Sequence, residues 1–147
     1  MTRVLVIDDE PDVLLLCRLN LEHAGHEVLQ ALSGELGLAL AREQHPDVVI
    51  LDLMMPMMDG YAVLAALKED ERTRDVPVVV LTAKVRLEDR IRSWQDGASE
   101  FVTKPFQPEL LLNTLDEVVA MSSDERAERR DQVLRDLDLD LGRQVEA

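Results

Sequence analysis

Asp8, Asp9 and Glu10 directly follow an apolar run, Val4 to Ile7. Asp52 directly follows a second such run, Val48 to Leu51, and Thr82 follows a third, Val78 to Leu81. Lys104, with Pro105 after it, closes a weaker extended stretch, Glu100 to Thr103. Crowded carboxylates repel. At ~4 Å and an effective dielectric of about 20, each pair costs about 4 kcal/mol before solvent relaxes. A fold keeps such a group where a cation neutralises it or where one acid stays protonated. Oxygen-only donors suit Mg²⁺ best, with Mn²⁺ as a substitute. Lys104 offers a fixed positive charge to a phosphoryl oxygen, and the Thr82 hydroxyl offers a hydrogen bond to another. A carboxylate beside a divalent ion and a lysine is equipped to accept a phosphoryl group. Positioning and charge neutralisation do most of the work in that reaction.

For these residues to meet, the apolar runs must lie side by side and point the same way. They are too short for helices and apolar on both faces, as strands inside a parallel sheet are. Glu27 to Ala31 and Glu100 to Thr103 read as weaker strands. Helical patterns separate them: Pro11 to Ala24, stopped by Gly25; Ser33 to Gln44, with a capping serine; Tyr61 to Asp70; Leu87 to Gln95; and Gln107 to Met121. Five βα units in a row predict a doubly wound α/β sheet with right-handed crossovers. In such a sheet the site lies beyond the carboxyl ends of the strands, where these acids, hydroxyl and lysine fall.

Composition narrows the function classes. The chain has 147 residues, 16 Lys plus Arg against 30 Asp plus Glu, and a formal net charge of −14. That length suits one domain with an extension. The acidic balance argues against a direct grip on a nucleic-acid backbone. The single cysteine, Cys17, excludes an internal disulfide and a cysteine-based zinc site. No run of ~18 apolar residues suggests a membrane span, and the start of the chain does not read as a signal peptide. A soluble, cytoplasmic domain is expected.

Taken singly, each of these site residues has an ordinary use. Asp8 or Asp9 would cap the helix opened by Pro11. Asp52 would be a turn residue, Thr82 a strand end and Lys104 a turn signal. Their order at successive strand ends is what points to chemistry. His23, His26 and His45 lack metal-ligand spacing. Cys17 reads as inert core. Trp94 reads either as a contact residue or as partly core.

The combination of Val4 to Glu10, Leu51-Asp52, Pro56, Asp59-Gly60, Leu81 to Ala83 and Lys104 to Phe106 resembles the receiver domain of bacterial response regulators. The resemblance covers residues 1–121. It implies the flavodoxin-like fold with strand order 2-1-3-4-5, and phosphotransfer from a sensor histidine kinase or phosphotransfer protein. It implies Asp52 as phosphoacceptor, and Asp8, Asp9, Asp52 and the Met54 carbonyl around Mg²⁺ (or Mn²⁺). It implies Lys104 on a phosphoryl oxygen, Thr82 as switch hydroxyl, Phe101 as switch aromatic and a cis Lys104–Pro105 bond. Met54, Ala83 and Lys84 are expected to border the phosphoryl pocket. Such a domain catalyses its own phosphotransfer and dephosphorylation without being a conventional enzyme.

Other functions fit less well. A flavodoxin-type cofactor binder needs a hydroxyl- and glycine-rich loop after the first strand, where this chain has acids. An aspartyl phosphatase would carry a second acid where Met54 stands. A longer regulator with a DNA-binding or enzymatic effector, and a non-phosphorylated protein-binding module, remain the alternatives. Residues 122–147 form a separate extension. Ser122 and Glu125 are spaced as a capping box, which predicts a helix. Ala127, Leu134 and Leu141 give a thin heptad seam. Asp136 to Leu141 also alternates with period two, as an edge strand would, and Leu137 to Val145 weakly resembles the strand opening a winged-helix effector. The extension therefore reads as a docking helix, a dimerising helix or the start of a linker. A homodimer would use either it or the face made by the fourth helix, fifth strand and fifth helix.

Overall fold

The computed structural model describes residues 1–146. Strands and helices alternate: β1 (Arg3–Ile7), α1 (Pro11–His23), β2 (Glu27–Ala31), α2 (Gly34–Gln44), β3 (Val48–Leu51), α3 (Gly60–Glu69), β4 (Val78–Thr82), α4 (Leu87–Gln95), β5 (Glu100–Thr103) and α5 (Pro108–Ala120). A sixth helix, α6 (Ser123–Glu146), follows. The strands pair in parallel, in the order β2-β1-β3-β4-β5. This is the expected flavodoxin-like, doubly wound sheet, and β3, Val48–Leu51, is buried at every position.

Each face of the sheet carries its own core. Leu5, Ile7, Val49 and Leu51 pack with Leu38 and Ala41 of α2 and with Val63, Leu64 and Leu67 of α3. Val4, Val6 and Ile50 pack on the other side with Leu14, Cys17 and Leu21 of α1 and with Leu111, Leu115 and Val118 of α5. Alternate residues of one strand thus feed opposite cores, as the pleat requires. Registers Ile7↔Leu51 and Thr82↔Thr103 bring the carboxyl ends of β1, β3, β4 and β5 to one edge.

Local chemistry sets the helix ends. The Ser33 hydroxyl accepts the Leu36 N–H at 3.2 Å, and the Asp59 carboxylate accepts the Ala62 N–H at 2.9 Å. Gly25, at φ +92°, makes the left-handed turn after α1.

Before α6, Ser122 and Glu125 form the reciprocal capping box, each side chain accepting the other's backbone N–H at 3.1 Å. The strand readings of Asp136 to Leu141 and Leu137 to Val145 are thereby corrected to helix. The period-two pattern loses because the cap starts a helix whose half-buried positions recur at helical spacing: Arg126, Ala127, Arg130, Val133, Leu134 and Leu137. That stripe faces the domain, and α6 packs on α4. Among the described residues, no helix is long and apolar enough to cross a membrane.

Candidate functional site

Because β1 ends at Ile7, Asp8 and Asp9 leave the sheet where the chain turns into α1. The Asp8 N–H bonds to the Ala31 carbonyl at 3.0 Å, and the Asp8 carboxylate accepts the Glu10 N–H at 2.9 Å. On the neighbouring strand, the Asp52 N–H bonds to the Ile7 carbonyl at 3.1 Å. Asp8 and Asp52 are each only 2% exposed. One carboxylate oxygen from each of Asp8, Asp9, Glu10 and Asp52 falls within 4.8 Å of the others.

Lys104 enters this cluster from the end of β5. Its Nζ lies 2.8 Å from Asp8 Oδ2, 2.9 Å from Asp52 Oδ2 and 3.1 Å from Glu10 Oε1. The Lys104–Pro105 bond is cis. Burial opposes the lysine's charge, but hydrogen bonds to Asp8 and Asp52 outweigh it and hold the ammonium more firmly protonated than usual. Burial also pushes the Asp8 carboxyl above its usual range. The Asp52 charge adds to that push, while Lys104 and the Glu10 N–H oppose it.

The loop after β3 is shaped around Asp52. The Met54 N–H donates to Asp52 Oδ1 at 3.1 Å, while the Met54 side chain is 56% exposed. The Gly60 N–H bonds back to the Leu53 carbonyl at 3.0 Å. A Cβ at Gly60 would overlap the Asp52 carbonyl oxygen and the Leu53 Cα, so this approach is open only to glycine.

Thr82 is fully buried at the end of β4, where its hydroxyl accepts the Lys84 N–H at 3.2 Å. Ala83 is exposed beside it. The Lys84 ammonium lies 3.7 Å from Asp89 Oδ1 in the first turn of α4, and 5.3 Å from the centre of the Tyr61 ring. Phe101, on β5, is half-buried, with its ring centre 5.5 Å from the Arg90 guanidinium carbon.

Three features escaped the sequence reading as site partners. Glu10 joins Lys104 directly. Tyr61 donates to Asp89 Oδ1 at 2.7 Å, burying an acid between α3 and α4 whose other oxygen is unpartnered. The Gly60 contact adjoins the loop after β3. Glu10 had a visible signal in the acidic run, and Gly60 one in the Asp59-Gly60 pair, though not its contact with Asp52 and Leu53. The separation of 28 positions between Tyr61 and Asp89 left none for that pair. Trp94 is buried, but outside both sheet cores and against α6, so it serves as a contact residue within the chain. Burial pushes the Cys17 thiol up to about 12, in keeping with inert core.

A divalent cation fits this donor set. The acids are all hard oxygen ligands, two are buried, and together they outnumber the single lysine that now neutralises them.

The comparisons with known proteins agree with the geometry. The family model described as the response regulator receiver domain matches residues 4–116. The chain is 46% identical over 112 residues to the DNA-binding dual master transcriptional regulator RpaA of a Synechocystis strain, covering 76% of this chain and 46% of that protein. It thus spans about half the length of that relative. It is 38% identical over 120 residues to the protein PilH of Pseudomonas aeruginosa, covering 82% of this chain and 99% of PilH. Among solved structures, the chemotaxis protein CheY4 of Vibrio cholerae matches with a TM-score of 0.77 at 34% identity, over 80% of this chain and 98% of that one. On fold, strand-end acids and these matches together, the chain belongs to the response regulator receiver family.

Proposed function

We propose that this chain is a phosphorylation-activated signalling switch in which Asp52 accepts a phosphoryl group from a histidine of a sensor kinase or phosphotransfer protein. The observation that carries the reading is the convergence of Lys104 on Asp52 and Asp8 at the end of the sheet, with Thr82 at the adjacent strand end.

A carboxylate oxygen of Asp52 attacks phosphorus, the phosphorus–nitrogen bond breaks, and the histidine nitrogen leaves with the electron pair and takes a proton from solvent. Asp8, Asp9, Asp52 and the Met54 carbonyl are the groups that would hold Mg²⁺, with Glu10 close by. When bound, the ion neutralises charge on the transferring phosphoryl oxygens. Lys104 gives up a carboxylate and meets a phosphoryl oxygen. The Thr82 hydroxyl leaves the Lys84 N–H and donates to another phosphoryl oxygen. Phe101 then turns into the space that Thr82 vacates. Two packings of one fold thus exchange population. Water later cleaves the acyl phosphate, with Met54, Ala83 and Lys84 setting its access.

We place the reaction in the cytoplasm. We take residues 1–121 as the receiver unit and residues 122–147 as an extension that contains α6, Ser123–Glu146. Where the chain is part of a longer regulator, an effector reads the same switch.

The test is intact mass after incubation with acetyl phosphate and Mg²⁺, for this chain and for Asp52→Asn. The expected result is one added phosphoryl group that requires both Mg²⁺ and Asp52. An adduct on Asp52→Asn, or none on either chain although Mg²⁺ binds, would overturn the reading.

A further inference from the structure

Helix α6 lies over the face made by α4 and β5. None of its described side chains is fully buried, and its contact is one half-buried stripe. It is tied down most firmly at its start. There the Arg126 guanidinium donates to the Met121 carbonyl at 2.6 Å, the Val118 carbonyl at 3.4 Å and the Asp75 carbonyl at 3.3 Å. This closes the end of α5 and fixes where α6 departs.

One turn on, Arg129 pairs with Glu100 of β5 at 2.6 and 3.1 Å and lies 5.9 Å from the centre of the Trp94 ring. Beyond it, Val133 and Leu137 line a cleft of about 250 Å³ together with Arg90, Trp94 and Phe101. Among the described residues, no hydrogen bond or ion pair joins α6 to the domain beyond Arg129; those further along stay within the helix.

Phe101 is a wall of that cleft, and it is also the aromatic that the proposed switch draws inward. Exposed ion pairs and cation–π contacts contribute little each. Beyond Arg129 the helix rests on side-chain packing without polar ties to the domain, so it is sensitive to the loss of one aromatic wall. We infer that α6 is a tethered strap, covering the α4–β5 face while Asp52 is unphosphorylated and releasing it when Phe101 turns in. The occupant of that face in the resting state is this chain's own helix. A second copy or a downstream partner reaches the face only after α6 leaves. The inference rests on the proposed phosphoacceptor chemistry.

Trp94 reports the event, because it is the chain's one tryptophan and is only 3% exposed with α6 in place. The experiment follows acrylamide quenching of Trp94 in the full chain, with and without acetyl phosphate and Mg²⁺, alongside intact mass on the same samples. Quenching is expected to rise severalfold on phosphorylation and to stay low in Asp52→Asn. Arg129→Glu, which sets an acid against Glu100, is expected to raise it without phosphorylation. Combining Arg129→Glu with Glu100→Arg is expected to lower it again. A phosphorylated chain whose Trp94 stays shielded would overturn the strap and leave the acceptor chemistry standing. Arg129→Glu with unchanged quenching would do the same. No phosphoryl adduct would overturn the acceptor chemistry, and with it the coupling.

Discussion

Lys104 and Asp52, 52 residues apart in sequence, meet at 2.9 Å, and the same ammonium lies 2.8 Å from Asp8. One lysine therefore bridges two buried acids at the ends of different strands, offsetting part of their charge. Its place at the end of β5 means that sheet closure and charge balance are the same event.

Removing that lysine leaves buried charge without compensation, which costs about 3–5 kcal/mol for a fully buried pair. Lys104 is 11% exposed, so some water reaches it. Lys104→Met is expected to lose about 3 kcal/mol of stability in EDTA, near the lower end of that range. Mg²⁺ is expected to restore part of the loss, since a ligand that binds only the folded state stabilises it, by about 2.7 kcal/mol at ~100 times its Kd. Urea unfolding in EDTA and in MgCl₂ checks both. Equal stability of the two proteins in EDTA would refute the neutralising role.

Gly60 is where α3 begins and where the acceptor loop passes closest to it. Gly60→Ala must push the backbone of Asp52 and Leu53 away. An overpacking cost of about 1–3 kcal/mol is expected, together with a fall in the rate of phosphoryl uptake, because the Asp52 carboxylate moves with its backbone. Unfolding curves and a phosphorylation time course on one preparation separate the two effects.

Lys68 gives a pH dependence of definite sign. Burial, with the charges of Arg130 and Arg126 nearby, pulls its ammonium from the usual 10.5 down to about 8. Between those values the unfolded chain holds the proton and the folded chain does not. Stability contributed by this site therefore rises with pH from about 8 to 10.5 and is flat below. Comparing this chain with Lys68→Met by thermal unfolding across that window isolates the effect. A difference that shrinks with rising pH is the expected outcome, provided the methionine variant is the more stable at pH 7.

Cys17 offers a simpler check. With its thiol pushed up to about 12 by burial, it carries almost no thiolate at pH 8. A thiol reagent is expected to label it only in urea. Fast labelling of the folded chain would place it elsewhere than among Leu14, Leu21 and Leu115.

The fold was legible because each strong strand is built on a short, wholly apolar run and each run is followed at once by a polar residue: Asp8, Asp52 or Thr82. Val48 to Leu51 followed by Asp52 carries strand, boundary and site at once. The tail was less legible because its apolar residues are few. Leu137, Leu139 and Leu141 alternate with Asp136, Asp138 and Asp140, a pattern that fits a strand as well as one side of a helix. The capping box at Ser122 and packing on α4 together separate them, the packing burying Leu137 partly while Leu139 stays 62% exposed. The Tyr61–Asp89 pair was hidden for another reason: it joins two helices by side chains alone, and neither residue departs from an ordinary helical pattern.

The central claim is that Asp52, and no other acid of the cluster, carries the phosphoryl group. Borohydride reduces an aspartyl phosphate to homoserine, marking the acceptor in the peptide chain. We predict homoserine at position 52 after acetyl phosphate and Mg²⁺, and an unmodified Asp8, Asp9 and Glu10. Homoserine at Asp8 or Asp9, the one-carbon-longer amino alcohol 2-amino-5-hydroxypentanoic acid at Glu10, or no reduced residue after a confirmed phosphoryl adduct, would contradict the account.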